Sequence, residues 1–298
     1  MNILIFGAGA IGSLFGAHLS EHSNVTLIGR KPHIDKINKN GLIITGRTQL
    51  KVKVSAYCNI EQIKYQPDII IIAVKSYDTK GAMKNINKIM QPSTSIISLQ
   101  NGLDNIEKIS KYAPMKKINV CITTHGALFE RPAVIKHTGI GKTTIGNISD
   151  IETDTILDFL KLINKTEIKT TLSKNTKQEI WQKAIINSSI NPLTTFFKIK
   201  NGYLLENPIL ERLVEKVCLE STNIACSNDV DISYNEMIEK TKQVITDTSD
   251  NYSSMLQSRM NNKKTEIDSI NGYIVKIGKK QGVDTRLNEM IVHSIKNL

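Results

Sequence analysis

Lys183, Asn187 and Asn191 recur every four residues through "WQKAIINSSINPLTTFF", Trp181 to Phe197. At about 100° per residue, such positions stay on one side of an α-helix. The rest of the stretch is apolar, with Trp181, Ile185, Ile186 and Ile190 flanking the row, and Pro192 is expected to break the helix. An ammonium beside a carbonyl can stabilise negative charge developing on its oxygen and then deliver a proton. Partial burial lowers an ammonium's pKa, which makes it a better donor near neutrality. Carboxamides both donate and accept, so they can orient a hydroxyl and a carboxylate without neutralising the lysine. Each residue has a plainer reading: Lys183 could reach solvent from a helix flank, and Asn187 or Asn191 could cap a helix end near Pro192. Three polar residues on one row of an apolar helix point to a ligand.

A second chemical signal lies at the N-terminus. "GAGAIG" (Gly7, Ala8, Gly9, Ala10, Ile11, Gly12) follows an apolar run and opens a helical pattern. In a strand–turn–helix context the first glycine permits the tight turn and the second lets a pyrophosphate approach the backbone. The third allows close helix–strand packing, and the helix N-terminus supplies N–H donors. The next strand ends "LIGRKP", with Arg30 where NAD-binding versions carry Asp or Glu, so NADP (NADPH) is the expected cofactor. Lys75, after "IIIIAV", and Asn101, after "SIISLQ", also end strands, where ligands of open α/β sheets bind. Taken alone, Asn101-Gly102 also suits an ordinary turn.

These positions need a parallel sheet to hold them. Strands are expected at Asn2–Gly7, Asn24–Gly29, Asp68–Val74, Thr94–Gln100 and Asn119–Thr124, separated mostly by amphipathic or apolar segments. "AVIKHTG" and "TTIGN" read as antiparallel additions. From about Ser173 strand signals vanish, and helical patterns occupy 174–191, 207–227, 233–258 and 265–282. The reading is an α/β Rossmann-type dinucleotide-binding domain over 1–172 and an all-α domain over 173–298.

Composition bounds the function. A chain of 298 residues suits two cores. Its +11 net charge comes from scattered lysines with no aromatics interleaved, which argues against nucleic acid as a partner. The apolar runs are far shorter than the ~20 residues of a membrane span, and the N-terminus lacks the basic start of a signal peptide. Cys58, Cys121, Cys218 and Cys226 have neither paired spacing nor neighbouring histidines, so free thiols in a reducing cytoplasm and no metal site are expected.

Together, "GAGAIG", "AVKSYDT", "LQNGLDN", "TTHGA", "WQKAIINSSINPLT", Asn201-Gly202, "SSMLQ" and "TEIDSINGYIV" resemble the ketopantoate reductase (2-dehydropantoate 2-reductase) family over nearly the whole chain. The resemblance implies a helical domain like the C-terminal domain of 6-phosphogluconate dehydrogenase. It makes Lys183 the catalytic lysine, with Glu266 an acidic residue near it and near the nicotinamide ribose. Asn187, Asn191, Asn201 and Ser254 then hold substrate, and Asn101 touches substrate and cofactor. Gly7 to Gly12, Arg30, Lys75 and Ala127 match NADP-binding positions. Read without the family, Glu266 is a first-turn carboxylate and Ser254 an exposed helix serine. The implied activity is NADPH-dependent reduction of a small 2-keto acid, 2-dehydropantoate, to (R)-pantoate on the way to pantothenate and coenzyme A, by a monomer or homodimer. The alternatives are a related reductase or dehydrogenase of another 2-keto or 3-hydroxy acid, and a non-enzymatic NADP-sensing protein.

Overall fold

The β-branched runs of the first half pair into a sheet, as their unbroken apolar character requires of strands covered on both faces. The strands are β1 Asn2–Phe6, β2 Asn24–Ile28, β3 Leu42–Gly46, β4 Leu50–Val52, β5 Ser55–Tyr57, β6 Ile69–Ile72, β7 Ser95–Ser98, β8 Ile118–Thr123, β9 Gly126–Arg131, β10 Val134–Gly139, β11 Thr143–Asn147 and β12 Thr170–Leu172. This computed structural model describes residues 1–149 and 151–298. It divides into two units, Met1–Gln100 with Asn105–Thr176, and Asn101–Asp104 with Lys177–Leu298.

In the first unit the large sheet runs β12-β11-β8-β7-β6-β1-β2-β5. From β5 to β8 every pairing is parallel, with Ile5 opposite Ile71 and Ile71 opposite Ile97. That is the doubly wound order with its switch between β1 and β6. β11 then adds antiparallel to β8, as its sequence suggests. Strands β3, β4, β5, β9 and β12 carry too weak a period to be read from sequence. Four strands make a second sheet, ordered β4-β3-β10-β9, in which β10 is antiparallel to β9 but parallel to β3.

Helix α1 (Ala10–Ser20) packs against both sheets, touching β1 and β2 on one side and all four strands of the small sheet on the other. Hence Gly12 to Leu19 are all buried, with no polar face. Gly16 suits the crowding, since a Cβ there would lie 2.6 Å from Leu27 Cδ2. The unit's other helices are α2 Lys31–Asn40, α3 Thr79–Ile86, α4 Asn105–Ile109 and α5 Asp154–Ile163. Residues 173–176, expected with the helical part, stay with this unit. Ser173 N–H donates to Ile145 O at 2.8 Å, and Gly146 packs on Thr176.

The second unit is helical: α6 Thr176–Phe197, α7 Tyr203–Glu206, α8 Pro208–Cys226, α9 Tyr234–Asp247, α10 Ser254–Met260, α11 Asn271–Gln281 and α12 Arg286–Lys296. The pattern over 233–258 is two helices, because Ser253 caps a new one through Leu256 N–H at 3.2 Å. The pattern over 265–282 begins as a short 3-10 turn, Ile267–Ser269, before α11. Trp181, Ile185, Val214, Val217, Met237 and Ile274 lie in its core.

Four of the six histidines are buried in the first unit, where α1 and α2 meet the small sheet. His125 Nδ1 lies 2.9 Å from His137 Nε2, and Thr48 Oγ1 joins His137 Nδ1 (2.9 Å) to His18 Nε2 (3.4 Å). His33 Nδ1 accepts from Ala133 N–H at 3.0 Å, and its Nε2 lies 3.1 Å from Ser13 Oγ. Burial pushes His33 from 6.5 to about 4; burial, helped by His137 and His18, does the same to His125. Both stay neutral in the fold while the unfolded chain takes up protons below pH 6.5. The unfolded state therefore binds more protons between these values. Stability rises with pH across that window and is lost as pH falls through it, by at most about 1.4 kcal/mol per pH unit for each histidine. Urea midpoints measured from pH 6.5 to pH 4 should fall less steeply in His33→Gln than in wild type; equal slopes would contradict this origin.

Candidate active site

In the first unit the glycine turn is built by packing. Gly7 has φ 119°, and a Cβ on it would lie 2.6 Å from Val74 N, at the end of the neighbouring strand. The Gly7 and Ala8 N–H groups both donate to Ile28 O, at 3.0 and 2.8 Å, which pins the turn to the end of β2. A Cβ on Gly12 would strike Gly7 O and come within 3.0 Å of Ala73 Cβ. Gly9 differs, because a Cβ there meets nothing within 4 Å. Its lack of a side chain serves no contact inside the protein and leaves the backbone open to a ligand. Gly9 N-caps α1 without a side-chain bond, and the first turn of α1 holds no acid. The N–H groups of Ala10, Ile11 and Gly12 precede the first intrahelical donor, Ser13, which reaches Gly9 O at 2.9 Å. This cradle fits a dinucleotide pyrophosphate.

Arg30 is exposed where β2 ends and α2 begins, and among the described residues it forms no ion pair. Gly29 beside it is pressed to Ala8, with a Cβ position 2.8 Å from Ala8 Cβ. Lys75 is half-buried at the end of β6, two residues past Ala73. The carboxyl ends of β1, β2 and β6 thus gather the glycine turn, Arg30 and Lys75. Ala127, half-buried, sits instead on β9 of the small sheet, paired with His137.

In the second unit α6 carries the Lys183–Asn187–Asn191 row on one continuous helix, Lys183 and Asn187 half-buried and Asn191 buried. Pro192 does not break it; the helix runs on to Phe197. An interior proline costs about 3 kcal/mol, and a buried carbonyl left without a donor adds about 1–3 kcal/mol. Here the carbonyl four residues back, Ser188 O, accepts from Asn271 Nδ2 at 3.1 Å. Asn187 and Asn191 are therefore mid-helix residues, and the capping alternative falls away.

Beyond the proline, Thr194 Oγ1 lies 3.0 Å from both Ile190 O and Asn191 O, the carbonyls that share its proton, and 2.8 Å from Ser253 Oγ, with which it is hydrogen-bonded. That bond ties Asn191 to the start of α10, where Ser254 is exposed in the first turn. Asn201 docks on the bend before it: its N–H donates to Asn251 O (3.0 Å) and its Nδ2 to Thr248 Oγ1 (2.9 Å). Asn201 Oδ1 is buried and has no partner among the described residues. Glu266 is buried, at 7 % exposure, and its carbonyl accepts from Ser269 and Ile270 N–H. Asn101 belongs to the segment that meets the same turn. Leu103 N–H donates to Ser269 O at 2.9 Å, and Gly102, at φ 97°, packs on Ser269. Asn191, Asn201 and Ser254 thus form one linked set, Asn101 and Glu266 another. Sequence reasoning passed over Ser253 and Asn271, which join these sets to α6; the only signal for Asn271 was a proline inside a helical pattern.

Residues 3–150 match the family described as "Ketopantoate reductase PanE/ApbA", and residues 175–298 match its C-terminal counterpart. A 2-dehydropantoate 2-reductase of Pyrococcus abyssi is 40% identical over 297 residues, 99% of this chain and 97% of that protein. Among solved structures, D-mandelate dehydrogenase with NADH and anilino(oxo)acetate superposes with TM-score 0.93 at 26% identity, covering 100% of this chain and 98% of that one. A PanE/ApbA family ketopantoate reductase from Ralstonia eutropha shares the fold at TM-score 0.92 and 24% identity, covering 100% and 98%. With both halves matched and a near full-length relative at this identity, the chain belongs to the ketopantoate reductase family, a family of dinucleotide-dependent reductases.

Proposed function

We propose that this protein reduces 2-dehydropantoate to (R)-pantoate with NADPH, in the cytoplasm, on the route to pantothenate and coenzyme A. The observation that carries the reading is the row on α6: an ammonium and two carboxamides on one side of a helix whose flanking residues Trp181, Ile185 and Ile190 are core. Gly7 to Gly12 would hold the pyrophosphate, Arg30 the 2′-phosphate, and Lys75 and Ala127 further parts of NADPH. When bound, that cofactor supplies the hydride. Lys183 holds the proton that the substrate's carbonyl oxygen takes as negative charge builds on it. Asn187, Asn191, Asn201 and Ser254 orient the substrate's hydroxyl and carboxylate, and the Oδ1 of Asn201, without a partner among the described residues, is an acceptor suited to that hydroxyl. Asn101 would bridge substrate and cofactor, with Glu266 beside the lysine and the ribose.

The likeness to D-mandelate dehydrogenase with NADH favours a second reading, another 2-keto acid reduced with NADH. Following NADPH and, separately, NADH absorbance with a panel of 2-keto acids separates the two. Ketopantoate should give the highest kcat/KM; another acid preferred by about tenfold or more would contradict the first reading.

Cofactor choice rests on Arg30. A charge-assisted bond to the 2′-phosphate is commonly worth about 1.5–3 kcal/mol, so Arg30→Ala should weaken NADPH roughly tenfold or more and barely affect NADH. Equal losses for both cofactors, measured by fluorescence titration, would remove Arg30 from that role.

A further inference from the structure

We infer that Asn271 is a positioning residue for this reaction, its amide fixing the α6 backbone at Pro192 and so the direction of the Lys183–Asn187–Asn191 row. The inference rests on the proposed roles of that row. Proline at 192 removes the donor for Ser188 O and crowds that carbonyl, so the backbone there is directed by whatever replaces the lost bond. Ser188 follows Asn187 directly and precedes Asn191 by three residues, and it is 0% exposed, so bulk solvent does not reach it.

The replacement comes from a donor with no freedom to turn. Asn271 is also 0% exposed, and its Nδ2 donates to Ser188 O at 3.1 Å and to Asn288 Oδ1 at 2.9 Å. Asn288 must present its oxygen to Asn271, because its own Nδ2 is engaged by Glu220 Oε1 at 2.8 Å and Ser221 Oγ at 3.2 Å. Glu220 in turn accepts the backbone N–H groups of Leu287 (2.9 Å) and Asn288 (2.8 Å), which fixes the start of α12. The chain of bonds closes on Ser188 again, whose Oγ lies 3.2 Å from Ser221 Oγ. Helices α6, α8, α11 and α12 are therefore joined by one network, whose bond to the Ser188 carbonyl is made by Asn271.

Asn271 also ends the turn that begins at Glu266, whose carbonyl accepts Ser269 and Ile270 N–H. Its amide thus joins the Glu266 turn to the row on α6. Its Oδ1 has no partner among the described residues, so the donor half of the side chain carries the role.

The test pairs Asn271→Ala with Pro192→Ala, which returns a backbone N–H to position 192 for Ser188 O. Asn271→Ala should lower kcat for ketopantoate reduction by about 10–100-fold per NADPH-binding site, with NADPH affinity within about twofold of wild type. The two changes should be non-additive in urea midpoint, the double variant recovering most of the loss. Additive losses, or a double variant as unstable as Asn271→Ala, would overturn the bond's role. Wild-type kcat in folded Asn271→Ala would overturn the positioning role. Wild-type kcat in Lys183→Ala beside a lost kcat in Asn271→Ala would fault the choice of acid and leave Asn271's role standing.

Discussion

The carbonyl of Ser188 is the point on which the helical unit turns. A 22-residue helix with a proline in it would ordinarily end or kink there, and the row of Lys183, Asn187 and Asn191 would lose its common face. Asn271 supplies the missing donor, and hydroxyls carry the helix past the proline: Thr194 bonds back to Ile190 O at 3.0 Å, and Thr195 to Asn191 O at 2.6 Å. Such back-bonding tends to bend a helix, so these residues shape α6 as well as sustain it. Thr194 then passes the constraint to Ser253 and α10, and the bend before α10 holds Asn201. One backbone defect, bridged by an amide from α11 and by hydroxyls of α6 itself, links most of the proposed substrate residues.

The first unit depends on a different constraint, the double-sided burial of α1. With a sheet on each side, the helix is buried all round, its polar Ser13 and His18 are hydrogen-bonded inside, and it is thin where it meets the large sheet, which Gly12 and Gly16 allow. Gly7 and Gly12 are fixed by their own packing, whereas Gly9 alone opens outward. The same burial places His18, His125 and His137 in a hydrogen-bonded row on neutral rings, linking acid sensitivity to the joint between α1 and the small sheet. Cofactor cradle and histidine row are two consequences of one packing arrangement.

What was legible in the sequence was what repeats locally. β1, β2, β6, β7 and β8 announce themselves as short β-branched runs bounded by turn residues, and the Lys–Asn–Asn row follows from helix periodicity. Arg30, Lys75 and Asn101 were readable as strand ends. Of the small sheet only β10, in "AVIKHTG", was legible as a strand, because β9 is mostly exposed and β3 takes its partners from β4 and from β10, some ninety residues on. The fate of Pro192 was hidden for the same reason. The rule that proline breaks helices is local, and the amide that overrides it lies 83 residues beyond the carbonyl it bonds, Ser188 O. Four histidines scattered between positions 18 and 137 gave no hint of a cluster, since only the packing of α1 brings them together. The bend at 248–253 was likewise masked by a helical pattern on both sides.

The proposed function turns on Lys183 as the proton donor. Turnover by Lys183→Ala at saturating ketopantoate and NADPH, with NADPH binding measured on the same preparation, tests that role. NADPH affinity should stay close to wild type, because the proposed phosphate-binding residues lie in the other unit. The kcat should be lower by about 10²–10⁴, with no rescue by Lys183→Arg, since a guanidinium does not give up its proton at useful pH. A kcat near wild type in Lys183→Ala would remove Lys183 from that role.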